Sequence, residues 1–242
     1  MRTPHEQACP DFKKGHVMPP STGNRTTPAT ATQTPPIPAA EHDDARDGLR
    51  IYFAGASGAI GSRLLPLLID AGHIVGAMTR SADKVNRLAA MGAQPIVCDV
   101  FDRSALTKAV RSFSPDILLH ELTDLPDDLA NLPEESLLNA RIRAEGTRNL
   151  LDALDGLGPK KIVAQSVAWA MRPGPEAEAV RSLEEAVLAA NGVVLRYGMF
   201  YGPGTYFESE LPPAPRIHID DAAARTLGAL DAPAGIQTVV DD

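Results

Sequence analysis

The stretch that decides the fold is Gly55-Ala56-Ser57-Gly58-Ala59-Ile60-Gly61. It follows a short apolar run at residues 49–54 and precedes a helical pattern that extends to residue 71. Gly55 permits a tight turn, Gly58 lets the backbone approach a pyrophosphate, and Gly61 lets the helix pack against a sheet. The free N–H groups of that helix would face the phosphates. The stretch therefore predicts a dinucleotide-binding loop, and the alternative is a glycine turn with a purely structural role.

Apolar runs and helical patterns alternate along the chain after this loop. The apolar runs predict strands at residues 74–78, 95–98, 116–120, 161–165 and 193–196. The helical patterns between them cover residues 82–91, 104–113, 133–154 and 176–190. This alternation predicts an α/β fold of the Rossmann type, a doubly wound parallel sheet with helices on both faces.

Composition divides the chain into two parts. Residues 19–40 are mostly Pro, Thr and Ala, with Ile37 as the one large apolar residue. Such a segment buries too little apolar surface to offset its ordering entropy, so we expect residues 1–48 to form a disordered tail. Residues 49–242 then form the dinucleotide-binding domain, in which a reduced substrate-side segment covers about residues 197–242.

Charge and hydropathy exclude several classes of partner. The formal net charge of −8 disfavours binding to nucleic acid. No apolar stretch is long enough to predict a membrane span, and the first 40 residues contain no secretory signal. The six histidines are scattered, and Cys9 and Cys98 are far apart, so we expect no metal site and no disulfide framework. These features are typical of a cytoplasmic protein.

The end of the second predicted strand bears on the choice of cofactor. NAD would be held there by a carboxylate, but the sequence has Arg80, which suits the 2′-phosphate of NADP. NADP is therefore the expected cofactor, with NAD as the alternative if Arg80 is an ordinary surface arginine. Asp99 follows the third strand, where its carboxylate would accept a hydrogen bond from the adenine amine or only support the next turn.

Four motifs in order resemble the extended short-chain dehydrogenase/reductase family of the NAD-dependent epimerase/dehydratase type. The first is the glycine loop, and the second is Glu-Gly-Thr-Arg-Asn-Leu-Leu at residues 145–151. The third runs from Val-Leu-Arg at 194–196 to Phe-Tyr-Gly-Pro-Gly at 200–204. The fourth is Ile-His-Ile-Asp-Asp-Ala-Ala at 217–223.

The resemblance implies positions for a dinucleotide and a small-molecule substrate. The pyrophosphate would contact Ser57, Gly58, Ala59 and Ile60; the adenine would lie between Asp99 and Val100; the cofactor ribose would contact Leu122 and Thr123; and the nicotinamide would lie near Tyr201. Ser166, at the end of the fifth strand, corresponds to the family's substrate-side serine, which would polarise a carbonyl group.

One departure from the family concerns its proton-transfer residues. Members that oxidise or reduce a carbonyl use a tyrosine and a lysine four residues later, but residues 167–195 contain neither. Alignment puts Glu178 and Ser182 at these positions. Glu178, Tyr197 and Tyr201 are candidate substitutes, although a structural role suits each of them better. Either another group transfers the proton, or the protein binds its cofactor without catalysing hydride transfer.

The sequence thus favours an NADP-dependent oxidoreductase or epimerase-like enzyme that acts on a small carbonyl compound or sugar-derived metabolite. A non-catalytic NADP-binding sensor and an inert family remnant are the alternatives. The fourth helix carries Arg141, Arg143 and Arg148, which would bind an anionic group or form a solvated face. Its apolar residues, among them Leu137 and Leu138, are compatible with a homodimer or with packing on the sheet.

Overall fold

The computed structural model describes residues 48–125, 132–158 and 161–241, with side chains from residue 137 onward in the second range. The strands are β1 (Arg50–Ala54), β2 (Ile74–Thr79), β3 (Gln94–Val97), β4 (Ile117–His120), β5 (Lys161–Val167), β6 (Val193–Tyr197), β7 (Met199–Tyr201), β8 (Arg216–His218) and β9 (Gly235–Val239). The helices are α1 (Ala59–Asp70), α2 (Val85–Ala90), α3 (Arg103–Phe113), α4 (Leu132–Arg141), α5 (Thr147–Ala153), α6 (Pro175–Ala189) and α7 (Ile219–Ala229). The predicted tail lies outside the described residues, apart from Gly48.

Within the described ranges, seven strands form one parallel sheet in the order β3-β2-β1-β4-β5-β6-β9. The chain winds outward from β1 to β3 and then returns to β4, which pairs with β1 on the other side. This confirms the predicted doubly wound Rossmann-type sheet. The direction of winding changes between β1 and β4, and ligands of such folds bind outside the carboxyl ends of the strands at this point.

Both faces of the sheet are covered, which explains why its central strands are apolar without alternation. In β1, Ile51 and Phe53 pack on one face in a cluster with residues of α1, α2 and α7. Tyr52 and Ala54 pack on the other face in a cluster with residues of α3, α5 and α6. The core therefore consists of two layers on either side of one sheet, and it holds the strand ends rigidly in place.

The helix predicted over residues 133–154 is divided into three parts. The helices α4 and α5 are joined by a π-helical turn over Ile142–Gly146, in which the backbone is one residue wider than in an α-helix. Gly146 lies in this turn with its Cα close to Val100, where a Cβ would come within 3.3 Å of Val100 Cγ2. The turn therefore coincides with a close approach between the helix and the end of β3.

The C-terminal segment contributes mainly to the Rossmann domain. Helix α7 packs against α1, and β9 adds a parallel strand beside β6. Strands β7 and β8 form a small separate sheet. The expectation that residues 197–242 form a reduced substrate-side segment therefore stays a prediction, since most of these described elements complete the sheet and its helical layer.

Two further expectations concern membranes and metals. Among the helices that the structure describes, none is both long and apolar enough to cross a membrane. In the same residues, no group of three or more His, Cys, Asp and Glu side chains is arranged to hold a metal ion. Cys98 is buried with a free thiol, and burial is the main cause that raises its pKa to about 11.

Candidate functional site

The glycine loop lies at the carboxyl end of β1, beside the point where the winding direction changes. Gly55 has a φ of +102°, and a Cβ at this position would collide with the backbone of Glu121 just after β4. A Cβ on Gly61 would come within 2.7 Å of the Ala56 carbonyl carbon. Both glycines are therefore required by the packing of the loop between β1, β4 and α1.

Gly58 differs from the other two glycines. It is extended, with a φ of −78°, and a Cβ there would meet only the Gly55 carbonyl oxygen at 3.4 Å. It is also the N-cap of α1 and supplies no side chain to the N–H groups of the first turn, which begins at Ala59, Ile60 and Gly61. The protein's own packing does not require glycine here. A ligand that needs close access to these N–H groups does, and this favours the predicted pyrophosphate site.

Charged side chains surround the outer side of this loop. Arg80, at the end of β2, makes a two-pronged ion pair with Asp124, with nitrogen–oxygen distances of 2.7 and 3.0 Å. The pair joins the loop after β2 to the loop after β4, which lie on either side of β1. Lys84 Nζ lies 3.4 Å from the Ser57 hydroxyl. Two cations thus stand beside the loop, and one of them has a carboxylate partner.

The residues expected around the adenine occupy the turn after β3. The Asp99 side chain is exposed, and its Oδ1 accepts a hydrogen bond from the Phe101 N–H at 2.9 Å. This is the turn-supporting role that the sequence left open, and it leaves the second carboxylate oxygen available. Val100 is buried, and its carbonyl accepts a hydrogen bond from Asn149 Nδ2 at 3.0 Å. Contact of either residue with an adenine stays a prediction.

The end of β4 is held by a buried histidine. His120 Nδ1 accepts the Leu122 N–H at 3.3 Å, so the ring proton is on Nε2, which lies 2.9 Å from the Thr147 hydroxyl. Burial, assisted by the charge of Arg143, lowers the pKa of His120 to about 3, so the ring is neutral. These bonds fix the backbone that leads to Leu122 and Thr123, both of which are half-buried near the switch point.

A buried polar cluster lies under the same edge of the sheet. The Tyr197 hydroxyl lies 3.2 Å from Glu121 Oε1 and 2.6 Å from Thr226 Oγ1, and the Thr226 hydroxyl lies 2.7 Å from the Ala222 carbonyl. The Tyr197 hydroxyl donates to Glu121 Oε1, and the Thr226 hydroxyl donates to the Ala222 carbonyl. Burial raises the pKa of Glu121 to about 8, although the hydrogen bond from Tyr197 acts to lower it, so the carboxyl group is largely neutral at pH 7.

Among the described residues, one carboxyl oxygen of this cluster and one buried amide nitrogen on β5 have no hydrogen-bond partner. Glu121 Oε2 and Gln165 Nε2 are buried, and no hydrogen bond reaches either atom within the described part of the chain. Glu121 and Gln165 are only 3% and 8% exposed. Because Glu121 is this deeply enclosed, it does not present a proton at the surface of the site. Its neutral carboxyl group is a structural feature of the core.

Ser166, the expected substrate-side serine, is buried within β5. Its hydroxyl donates to Glu184 Oε1 on α6 at 2.5 Å. Arg196 on β6 binds both oxygens of the same carboxylate, at 2.9 and 2.6 Å. Burial raises the pKa of Glu184, but hydrogen bonds from Arg196 and Ser166 outweigh it and hold this pKa below its ordinary value. Ser166 would have to release Glu184 before its hydroxyl proton reached a substrate carbonyl.

The three candidate substitutes for the missing tyrosine and lysine lie in three different elements. Glu178 is exposed on the first turns of α6. Tyr197 is buried, and burial raises its pKa well above the ordinary value. Tyr201 lies in β7 with its ring edge against His218, and a hydrogen bond to Asp241 raises the pKa of its hydroxyl. The structure thus brings Tyr201 to the C-terminal segment, and its predicted contact with the nicotinamide is untested.

Sequence analysis missed Lys84, Asp124, Glu121 and Glu184. Lys84 had a usable signal, because it follows Arg80 by four residues at the start of the next helical segment. Asp124 directly follows Leu122 and Thr123, which were expected to line the ribose. Nothing in the sequence distinguishes Glu121 and Glu184 from solvent-exposed glutamates. Their roles depend on contacts between elements that are far apart in the chain.

Comparisons with known proteins agree with this geometry. A family model described as NAD(P)H-binding matches residues 55–195. A curated relative, a 3-diazoavenalumate denitrifying reductase from a Streptomyces species, is 32% identical over 236 aligned positions that cover 80% of this chain and 76% of that protein. The family model's match includes the glycine loop and extends into β6.

Solved structures share the fold. UDP-glucose 4-epimerase from Thermus thermophilus, in complex with NAD, matches with a TM-score of 0.66 and 21% identity over 79% of this chain and 78% of that chain. WbmG from Bordetella bronchiseptica, also with NAD, matches with a TM-score of 0.65 and 18% identity over 80% and 73%. The solved structures share the fold predicted from the sequence, and the family model identifies the family. The chain belongs to the NAD(P)H-binding family.

Proposed function

We propose that this protein is an NADPH-dependent reductase that transfers hydride to a small electrophile. The observation that carries the proposal is the access at Gly58, where the backbone N–H groups at the start of α1 have no capping side chain. Bound NADPH supplies the hydride. The chain supplies the pyrophosphate site through residues 57–61, with Asp99 and Val100 beside the adenine and Leu122 and Thr123 beside the ribose.

The preference for NADPH over NADH rests on the two cations beside the loop. Arg80 and Lys84 both approach the region where the 2′-phosphate would lie, while the carboxylate that NAD requires at the end of β2 is missing. Asp124 holds Arg80 in the free protein, and an incoming phosphate would compete for the same guanidinium. NADH would gain nothing from Arg80, so replacement of this residue separates the two cofactors.

The nature of the hydride acceptor follows from the missing proton donor. Residues 167–195 contain neither a tyrosine nor a lysine, and the Ser166 hydroxyl is bound to Glu184. A carbonyl acceptor becomes an alkoxide that needs a proton, whereas other electrophiles do not. The relative that is 32% identical is named as a reductase of a diazo compound. An aryl diazonium ion accepts hydride at its terminal nitrogen to give a diazene, which loses N₂ and keeps the hydrogen on carbon without a proton donor.

We therefore place aromatic diazo compounds first among the acceptors, and a small carbonyl compound or sugar-derived metabolite second. The test is incubation of the protein with NADPH that carries deuterium at the transferable position, together with an aryl diazonium salt, a small ketone or a nucleotide sugar. Transfer of deuterium into the arene with release of N₂ supports the first class. Transfer to none of the acceptors, in a protein that binds NADPH, contradicts the reductase proposal.

Replacement of Ser166 by alanine separates the two acceptor classes. A carbonyl acceptor would need the Ser166 hydroxyl for polarisation, so the variant should lose about 10²-fold or more in rate. A diazo acceptor would not need it, and the rate should change by less than about threefold. The melting temperature of Ser166→Ala is measured alongside, because the variant also removes a hydrogen bond to Glu184.

A homodimer through α4 is the proposed assembly. Leu137 and Leu138 are 66% and 37% exposed, while Ile142 is buried against the domain. The two leucines are therefore the part of the predicted apolar set that is available to a second copy. Sedimentation equilibrium of the protein and of a Leu137→Glu variant tests this assembly, and a monomeric unsubstituted protein would contradict it.

A further inference from the structure

The three arginines of the fourth helical region differ sharply in the structure. Arg141 and Arg148 are exposed, and Arg141 makes an ion pair with Glu145, four residues later, at 2.7 Å. Arg143 is only 8% exposed. From the sequence, the three arginines were expected either to form a solvated face or to bind an anionic group. In the structure, Arg141 and Arg148 form the solvated face, whereas Arg143 is buried and lies apart from it.

Arg143 points inward because of its place in the helix. It lies in the π-helical turn and on the same stripe as Gly146, Thr147 and Leu150, which are all buried. Residues three, four and seven positions apart share one face of a helix, so this stripe is the one that packs on the domain. The turn also packs against α6, which carries Glu184.

The guanidinium of Arg143 has no direct partner in the part of the chain that the structure describes. Glu184, the acidic residue with the strongest influence on it, is already bound by Arg196 and Ser166. No nitrogen atom of the Arg143 side chain is both sealed from solvent and without a hydrogen-bond partner. The side chain therefore keeps a small solvent-exposed surface.

The charges around Arg143 leave it a cation at neutral pH. Burial lowers its pKa to about 10, and the carboxylates of Glu184 and Glu176 on α6 oppose this effect. His120, at the end of β4, is neutral because burial and the Arg143 charge lower the His120 pKa to about 3. A largely buried cation without a hydrogen-bonded partner among the described residues is costly for the free protein, so its retention points to a bound anion.

The position of Arg143 places such an anion at the reaction edge. Thr147, four residues after Arg143 on the same stripe, lies 2.9 Å from His120 at the carboxyl end of β4. The π-helical turn also packs against α6, whose Glu184 contacts Ser166 near the carboxyl end of β5. The carboxyl ends of the strands near the switch point form the ligand crevice of this fold. An anion on Arg143 would therefore lie beside the reacting part of a bound substrate.

We infer that Arg143 binds a carboxylate of the substrate, so that the protein selects small carboxylic acids. Arginine suits this role because its planar fork donates two parallel hydrogen bonds to a carboxylate. Identification of this carboxylate as the substrate's rests on the proposed reductase function. Binding of a carboxylate at Arg143 does not depend on hydride transfer and is tested separately.

The experiment is a calorimetric titration of the full chain with benzoate and with uncharged benzamide, both with and without saturating NADP. The variants are Arg143→Met, which removes the charge at similar volume, and Arg148→Met, which makes the same change on the exposed face. Arg143→Lys keeps the positive charge but cannot donate two parallel hydrogen bonds. It is the test variant if Arg143→Met does not fold. The affinity for NADPH is measured for every variant.

The inference predicts that benzoate binds at least about tenfold more tightly than benzamide, and that Arg143→Met or Arg143→Lys removes about tenfold of this affinity. Arg148→Met should bind benzoate like the unsubstituted protein, and NADPH affinity should not change in any variant. Arg143→Met without ligand should be as stable as the unsubstituted protein or more so. A stabilising role alone would give the opposite result.

Two results would overturn the inference. One is a protein that binds NADPH but shows no saturable binding of benzoate. The other is benzoate binding that Arg143→Met and Arg143→Lys leave unchanged. Absence of NADPH binding, by contrast, would contradict the proposed function and leave the anion site to be decided by the titration without cofactor.

Discussion

At the scale of single residues, the glycines of the loop are required for two different reasons, the packing of the protein and access for a ligand. Gly61 is needed by the protein, because a Cβ there would meet the Ala56 carbonyl carbon at 2.7 Å. Gly58 is not needed by the protein, because a Cβ there would meet only one atom at 3.4 Å, at an ordinary extended φ. The sequence motif cannot distinguish these two cases, because both positions are glycine.

Alanine substitutions at the two positions should therefore have different effects. Gly61→Ala should lower the free energy of unfolding by about 2 kcal/mol or more through overpacking. Gly58→Ala should change it by less than about 1 kcal/mol, yet weaken NADPH binding roughly tenfold or more by obstructing the pyrophosphate. Urea unfolding and calorimetry measure the two quantities. Tight NADPH binding by Gly58→Ala would contradict the placement of the pyrophosphate.

In the proposed NADPH site, Asp124 would act on the cofactor through Arg80. Replacement by asparagine keeps the shape but removes the charge that competes with a phosphate for the Arg80 guanidinium. We expect Asp124→Asn to tighten NADPH binding by about threefold to tenfold and to leave NADH binding unchanged. Asp70→Asn, at the far end of α1, is the matched control. Equal gains for NADPH and NADH would argue against a 2′-phosphate at Arg80.

At the scale of elements, one carboxylate joins three of them. Glu184 on α6 binds Ser166 on β5 and Arg196 on β6, so it fixes the helix over the ends of two strands. This network explains why the structure needs an acidic residue at a buried position of α6. The sequence contains two adjacent glutamates at this place. No pattern in it indicated which of the two is buried against the sheet in an ion pair.

The two adjacent glutamates supply a matched test of this network. Glu184→Ala should lower the free energy of unfolding by about 2 kcal/mol, because it leaves Arg196 and Ser166 without their acceptor. Glu185→Ala, at an exposed position, should change it by less than about 0.5 kcal/mol. Denaturant unfolding measures both variants. Equal losses would show that the helix, and not the ion pair, determines the effect.

At the scale of the whole molecule, sequence periodicity predicted the order and type of the elements from β1 to β6. It succeeded because βαβ units repeat one simple pattern and because each strand of a covered sheet is apolar. It missed the π-helical turn at Ile142–Gly146 and the strand at Gly235–Val239. The turn has no sequence signature of its own, and the polar edge strand resembles a loop. The buried positions of Glu121 and Arg143 likewise follow only from tertiary packing.

The buried carboxyl and imidazole groups make the stability of the whole fold depend on pH. The pKa of Glu121 is raised from 4.5 to about 8, so its contribution to stability is fully present below pH 4.5 and is lost as the pH rises toward 8. The pKa of His120 is lowered from 6.5 to about 3, so its contribution falls as the pH decreases from 6.5. The two effects oppose each other between pH 4.5 and 6.5, and Glu121 acts alone above pH 6.5.

The free energy of unfolding should therefore fall by roughly 2 kcal/mol between pH 6.5 and pH 8, at about 1.4 kcal/mol per pH unit. Glu121→Gln keeps the shape of the side chain but does not titrate, so its stability should be nearly constant over this interval. Urea unfolding at several pH values measures the slopes. A slope in Glu121→Gln as steep as that of the unsubstituted protein would mean that another group is responsible.

The most direct test of the central claim is a calorimetric titration with NADPH and NADH of the unsubstituted protein, Arg80→Ala and the exposed control Arg87→Ala. The account predicts that the unsubstituted protein binds NADPH, and that Arg80→Ala weakens NADPH binding by about tenfold or more and NADH binding by less than about twofold. Arg87→Ala should change neither. Failure of the unsubstituted protein to bind either dinucleotide would contradict the claim that the glycine loop is a working cofactor site.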